Sequence, residues 1–240
     1  QSAYVSGTIR EELNGNKVYD KENTTFRYSL SGGQELNWEP FVSEPFFPSY
    51  ATIESAEQAY RNVLSDVGCN QPFFNSHDAR MVSETVSGTT SKVGSKTGKK
   101  GLIDREWDSE GYVDIPEVRR SADFDTDQDG MPDWWERTHG LSVTSPDNNS
   151  DTDNDGYTAL EEYLNWMAQP HYEVAGGKSL DIDLMPLFAG YTSAAAFSVS
   201  GAGASINGST LTVTAPAEES VMSFEVKCEE GGYSFTRTVN

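Results

Sequence analysis

Cysteine and positive charge are both scarce in these 240 residues. Cys69 and Cys228 are the only cysteines and lie in segments of different character, which excludes a disulfide-dense scaffold. One long-range disulfide and two separate thiols both remain open. The three histidines, His77, His139 and His171, do not join the cysteines at zinc spacing, and their unrelated contexts give no triad. Seventeen Lys and Arg stand against 38 Asp and Glu, a formal charge of −21. So acidic a chain is a poor partner for nucleic acid, whose phosphates reward a basic face. No run of about 18 apolar residues exists, so no membrane span is expected. Neither Gly-x-Ser-x-Gly nor G-x-x-x-x-G-K-[ST] occurs, which removes a hydrolase nucleophile elbow and a phosphate-binding P-loop. No signal peptide is visible, and a first residue of Gln1 is expected of a processed, exported chain or an excised fragment.

Apolar residues make up 36% of the chain and aromatics 11%, enough for packed cores, so global disorder is not expected. The length fits one large domain or two to three small ones. Between residues 121 and 165 twelve acids face one base, Arg137.

Those acids are patterned. Asp125, Asp127 and Asp129 occupy positions 1, 3 and 5 of a loop with Gly130 at 6 and Glu136 at 12; Asp151, Asp153, Asp155, Gly156 and Glu162 repeat the spacing. This is the arrangement of an EF-hand-type calcium loop. Short carboxylates at alternate positions turn inward as the chain curls around a hard cation, and the position-12 Glu closes the site with both oxygens. The backbone carbonyls of Met131 and Tyr157 supply position 7. Asp133 adds a carboxylate at position 9 of the first loop, whereas Ala159 leaves that place to water in the second. Two Ca2+ sites are therefore expected, the first tighter. A solvated acidic turn explains one such run, but two runs, each with its closing Glu, weigh against it.

The expected fold class is α+β, in four segments. Residues 1–46 read as strand and turn, with turn signals at Asn14-Gly15-Asn16 and Gly32-Gly33. Residues 47–120 read as helix plus loop. A helix over 52–67 is predicted from the Ser55/Gln58 capping pair and the face Ile53, Ala56, Tyr60, Val63, Leu64, Val67; residues 83–101 read as loop. Residues 121–172 form the tandem calcium-loop module, with helices from Pro132 to Gly140 and from Ala159 to Met167. The second has a Thr158/Glu161 capping box and carries Leu160, Tyr163, Leu164 and Met167 on one side. Period-two alternation makes residues 173–240 a small antiparallel β module, sandwich-like but short for an immunoglobulin-type fold.

Several runs occur in one order: Pro48-x3-Thr52-x2-Ser55-Ala-Glu57-x-Ala59-Tyr60-x2-Val63-Leu64, Asp78-Ala79-Arg80, Ile103-Asp104 with Gly111-Tyr112, then the two acidic loops with Trp135-Glu136, Gly140-Leu141 and Glu161-Glu162-Tyr163-Leu164-Asn165. Residues 47–172 thereby resemble the region after the catalytic β-helix in secreted bacterial pectate lyases of polysaccharide lyase family 1. Residues 1–46 resemble the last turns of that β-helix, and the β module resembles tails of Bacteroidetes members. The resemblance implies a parent enzyme that cleaves pectin or pectate by β-elimination. It also implies a secreted, cell-surface or periplasmic location, with the enzyme's own catalytic domain and pectic polysaccharide as partners. The family's Trp-x-Asp-His and Arg-x-Pro-x-x-Arg motifs are missing, and Asn75-Ser76-His77 replaces the usual Arg-Asp pair before Asp-Ala-Arg. No catalytic residue is carried over.

The tandem loops also resemble dockerins and thrombospondin type 3 repeats, which bind proteins, but dockerin halves are near-duplicates and these helices differ. Trp134, Trp135 and Trp166 read as core joining two short helices rather than as a sugar platform. His77-Asp78 reads as structural. Lys92, Lys96, Lys99 and Lys100 form the only basic cluster, suited to uronate carboxylates in principle and to a solvated, mobile loop by side-chain entropy.

Overall fold

Alternation in the sequence becomes strand pairing most fully at the C-terminal end. The computed structural model describes residues 2–11, 15–20, 38–69 and 73–240. Of the predicted turn residues, Asn14 and Gly32-Gly33 lie outside these, whereas Gly15 is described and takes left-handed backbone at φ 79°. Among the described residues the fold is α+β, with four α-helices and ten strands. The chain divides into two compact units, Gln1–Arg61 and Asn62–Asn240, a boundary inside the expected 47–120 segment.

In the first unit β1 (Ala3–Tyr4) pairs in parallel with β4 (Phe41–Val42), and β2 (Thr8–Glu11) forms an antiparallel hairpin with β3 (Lys17–Asp20). Among the described residues of this unit, only the parallel pair runs in the direction that β-helix rungs require. Helix α1 (Ala56–Ser65) is shorter than the predicted 52–67, although Ser55 Oγ does accept from Gln58 N at 3.2 Å. Of its predicted apolar face only Leu64 is buried, while Ile53, Tyr60, Val63 and Val67 are exposed.

The loop expected at 83–101 requires correction, because its first residues complete helix α2 (Ser76–Ser87). Asn75 caps that helix by accepting from His77 N and Asp78 N, and Gly88 ends it at φ 64°. The Ser and Thr residues that looked like loop bond back into the helix: Thr85 Oγ1 donates to Met81 O at 2.7 Å. The remaining turn is stitched rather than merely solvated. Asp104 Oδ2 accepts from Lys96 N and Thr97 N, both at 2.8 Å, and Asp108 Oδ2 accepts from Ser95 N at 2.9 Å. These N–H donors hold both carboxyls below their ordinary range, Asp108 at about 2. Lys92 pairs with Glu110.

Helices α3 (Asp133–His139) and α4 (Ala159–Met167) follow the sequence prediction closely. Gly140 closes α3 at φ 72°. In α4 Thr158 accepts from Glu161 N, while Glu161 Oε2 accepts from Thr158 N at 2.7 Å and Thr158 Oγ1 at 2.8 Å. Those bonds lower the Glu161 pKa. We expect Thr158→Ala to cost about 1 kcal/mol in a denaturant melt, the usual worth of an N-cap. Met131, Trp135, Ala159 and Tyr163 form the core between these helices, with Trp134, Leu160, Trp166 and Met167 against it. Leu164, predicted on the same side, is exposed.

The β module has two three-stranded sheets. One has the order β5 (Ser179–Asp183), β8 (Thr210–Thr214), β7 (Ala204–Asn207); the other has β10 (Tyr233–Val239), β9 (Phe224–Glu230), β6 (Ala196–Ser200). All pairings are antiparallel. Ile182, Leu211 and Val213 of the first sheet share a core with Phe224, Val226, Cys228 and Val239 of the second, as in a small sandwich. Phe188, from the link between β5 and β6, is fully buried there and meets Phe197 edge-on at 5.4 Å. Cys228 is a buried thiol and Cys69 an exposed one, so no disulfide joins them.

Candidate metal centre

Both acidic runs fold into the same loop. Asp125 Oδ2 accepts from Gly130 N at 3.1 Å, Asp127 Oδ1 from Asp129 N at 3.3 Å, and Asp129 Oδ1 from Met131 N at 3.0 Å. Asp151, Asp153 and Asp155 repeat these bonds to Gly156, Asp155 and Tyr157 at 3.2, 3.3 and 2.8 Å. The carbonyl before each loop accepts from the position-9 N–H: Phe124 O from Asp133, Ser150 O from Ala159. Each loop needs left-handed backbone at position 4, in Gln128 (φ 61°) and Asn154 (φ 63°). Each needs it again at position 6, in Gly130 (φ 102°) and Gly156 (φ 98°), where a Cβ would be strained. The carboxylates of each run converge, one oxygen from each lying within 4.8 Å of the others.

The two loops differ in depth. In the first, Glu136 is fully buried and Asp129 is 8% exposed, while Asp151, Asp153 and Asp155 are all exposed. Neither carboxylate oxygen of Glu136 has a hydrogen-bond partner, nor do the buried Asp125 Oδ1 and Asp127 Oδ2. Burial first, then the charges of Asp127, Asp129, Asp133 and Asp147, push the Glu136 pKa up to about 7. Asp127 is raised for the same reasons, burial leading and Asp129 next. Glu162 is raised by burial and then by the charges of Asp153 and Asp155. A buried carboxylate with no donor and several like charges around it is unfavourable unless protonated or neutralised by a cation. An oxygen-only donor set of this kind suits a hard cation such as Ca2+.

Of the expected residues, Asp125, Asp127 and Asp129 converge, as do Asp151, Asp153 and Asp155, and Glu136 meets Asp129. The Asp133 carboxylate turns to Thr126, accepting from its N at 2.8 Å through Oδ1 and from its Oγ1 at 2.8 Å through Oδ2. Asp147, which the twelve-residue spacing did not single out, joins Asp129 and Glu136 instead. Its signal lay outside the repeat, in an Asp of the connection between α3 and α4.

The tryptophans belong to this core. Trp135 is 4% exposed, stacks on His139 with centroids 3.7 Å apart, and meets Trp166 at 5.5 Å. Trp134 meets Trp166 at 5.4 Å. Elsewhere Trp107 and Tyr112 are exposed, but they meet edge-to-face at 76° and offer no flat strip to a sugar. His77 bridges Gly111 O at 2.8 Å and Ser109 Oγ at 3.2 Å, a structural clasp. No helix of the described residues is long and apolar enough to cross a membrane. Compared with protein-family models, curated proteins and solved structures, the chain matches none.

Proposed function

We propose that this chain is a calcium-folded, non-catalytic accessory region of a secreted pectate lyase-like enzyme. The observation that carries the calcium part is Glu136, fully buried, with both oxygens unpartnered beside Asp129 and Asp147. In this reading Asp125, Asp127, Asp129 and Glu136 hold one Ca2+ with the Met131 carbonyl. Asp151, Asp153, Asp155 and Glu162 hold another with the Tyr157 carbonyl. The cation replaces a repulsion between carboxylates by attraction and so couples metal binding to packing of α3 on α4. The accessory role rests on the ordered motifs of residues 47–172. It is supported by the apolar surface between residues 102 and 118, where Leu102, Ile103, Trp107, Tyr112, Ile115 and Val118 are all exposed. A surface of this kind suits docking on another domain, here the enzyme's own catalytic domain, outside the cytoplasm and near pectic polysaccharide.

The test is calorimetric titration of Ca2+ into chelator-stripped protein, with and without polygalacturonate. Two sites are expected, with no heat from the polysaccharide; pectate heat that requires Ca2+ would make this a sugar-binding module, and absence of calcium binding would sink the reading. Glu136→Gln is expected to weaken the tighter site by about tenfold or more, since ligand charge sets affinity in such loops. Glu162→Gln acts on the exposed site and weakens it less. The reverse order would contradict the assignment of the buried loop as the tighter one.

A further inference from the structure

Position 9 of the first loop is occupied by a carboxylate that already has other partners. Asp133 accepts from Thr126 through both oxygens, and Arg137 Nη1 lies 4.0 Å from its Oδ2. Asp147, from the connection between α3 and α4, presents a carboxylate to the same centre. One of its oxygens lies within 4.8 Å of oxygens of Asp129 and Glu136. Its Oδ2 accepts from Ser142 N at 2.9 Å, while Oδ1 is buried with no hydrogen bond. Glu136 supplies the independent sign of a ligand, being wholly buried with both oxygens unpartnered.

We infer that Asp147 is a direct ligand of the cation in the first site, contributed from outside the twelve-residue loop, and that Asp133 is not. The inference rests on the calcium reading of this centre. Burying Oδ1 among like charges without a donor is unfavourable, and a cation is the partner that removes the penalty. The backbone is arranged to deliver the side chain. Asp129 Oδ2 accepts from Asp147 N at 3.1 Å and Asn148 N at 3.0 Å, and Asn148 Nδ2 donates to Asp129 O at 2.9 Å. Asn148 O in turn accepts from Leu160 N, in the first turn of α4. Coordination by Asp147 therefore fixes the connection that leads into the second loop. Filling the first site orders the approach to Asp151.

The test uses the full chain and Ca2+ itself. Asp147→Asn keeps an acceptor for Ser142 N but removes the charge; it is expected to weaken the tighter site by about tenfold or more, and Asp133→Asn by less than about threefold. In EDTA the D147N chain is expected to melt at or above the parent temperature, since one charge facing Glu136 is gone. A merely structural Asp147 would instead lower the melt with and without Ca2+. If D147N does not fold, Asp147→Glu keeps the charge but changes the reach, and an affinity shift beyond about threefold is expected. Parent-like calcium affinity in D147N, or in D147E where D147N does not fold, overturns the inference alone. If the parent chain binds no Ca2+, the calcium reading and the inference both fall.

Discussion

Removing calcium is expected to lower the melting temperature of the compact unit that holds α3 and α4, Asn62–Asn240, by about 8–16 °C. With free Ca2+ a thousandfold above Kd, binding linkage contributes about 4 kcal/mol, and each kcal/mol moves the melt of a domain this size by about 2–4 °C. The readout is near-UV circular dichroism, because Trp134, Trp135 and Trp166 pack together in the affected core. The pH dependence sharpens the test. Burial and the surrounding carboxylates raise Glu136 from its ordinary 4.5 to about 7 in the metal-free fold. Between those values the folded chain holds a proton that the unfolded chain has released, so metal-free stability falls as pH rises from about 4.5 to about 7. With Ca2+ bound the slope reverses, because protons compete with the cation for Glu136 and acidification below about 7 weakens binding. Melts recorded with EDTA and with excess Ca2+ should therefore diverge as pH rises. Parallel slopes, or an unchanged melt after stripping, would mean that the buried carboxylates are tolerated without an ion.

The local devices were the most legible part of this chain. The Thr158/Glu161 box, the Gly140 stop and the Gly at position 6 of each loop act within a few residues, so their partners are close in sequence. The alternation in Thr210–Thr214 and Tyr233–Val239 likewise announces strands, with Leu211, Val213 and Val239 turned inward. What stayed hidden depends on distant pairing. Asp133 has the spacing of a ligand, yet a neighbouring hydroxyl and N–H compete for it, and which wins is decided by geometry rather than spacing. Asp147 reaches the centre only because Asp129 gathers the connection by three hydrogen bonds. Helix α2 escaped notice because Ser and Thr, poor helix formers as a class, are satisfied there by bonds to the preceding turn. The apolar stripe of α1 predicted burial of six residues, and Leu64 alone is buried.

Arg237 is the other place where a single change is expected to act strongly. It sits in β10, 5% exposed, in a position whose alternation calls for an apolar side chain. Its guanidinium reaches the end of α1: Nη1 donates to Ser65 O at 2.6 Å and to Leu187 O at 2.9 Å, and Nη2 donates to Asp66 Oδ1 at 2.6 Å. Burial draws its pKa down, against the raising influence of Asp66 and Tyr172, so the charge is held at a desolvation cost that those acceptors offset. Arg237→Ala removes the donor from two carbonyls and from Asp66 at once and opens a cavity beside the sandwich core. Breaking a buried charged pair costs about 3–5 kcal/mol. Because the Asp66 side chain is 50% exposed and rehydrates readily, the lower end, about 3 kcal/mol, is expected. That corresponds to a fall of about 6–12 °C in the melt followed by far-UV circular dichroism. Arg237→Lys keeps the charge without the planar fork and should recover only part of the loss. The calcium-induced rise should persist in both variants, since the loops keep all their carboxylates. If R237A melts within about 2 °C of the parent, the guanidinium contributes little, and apolar packing alone sets the stability of the sandwich.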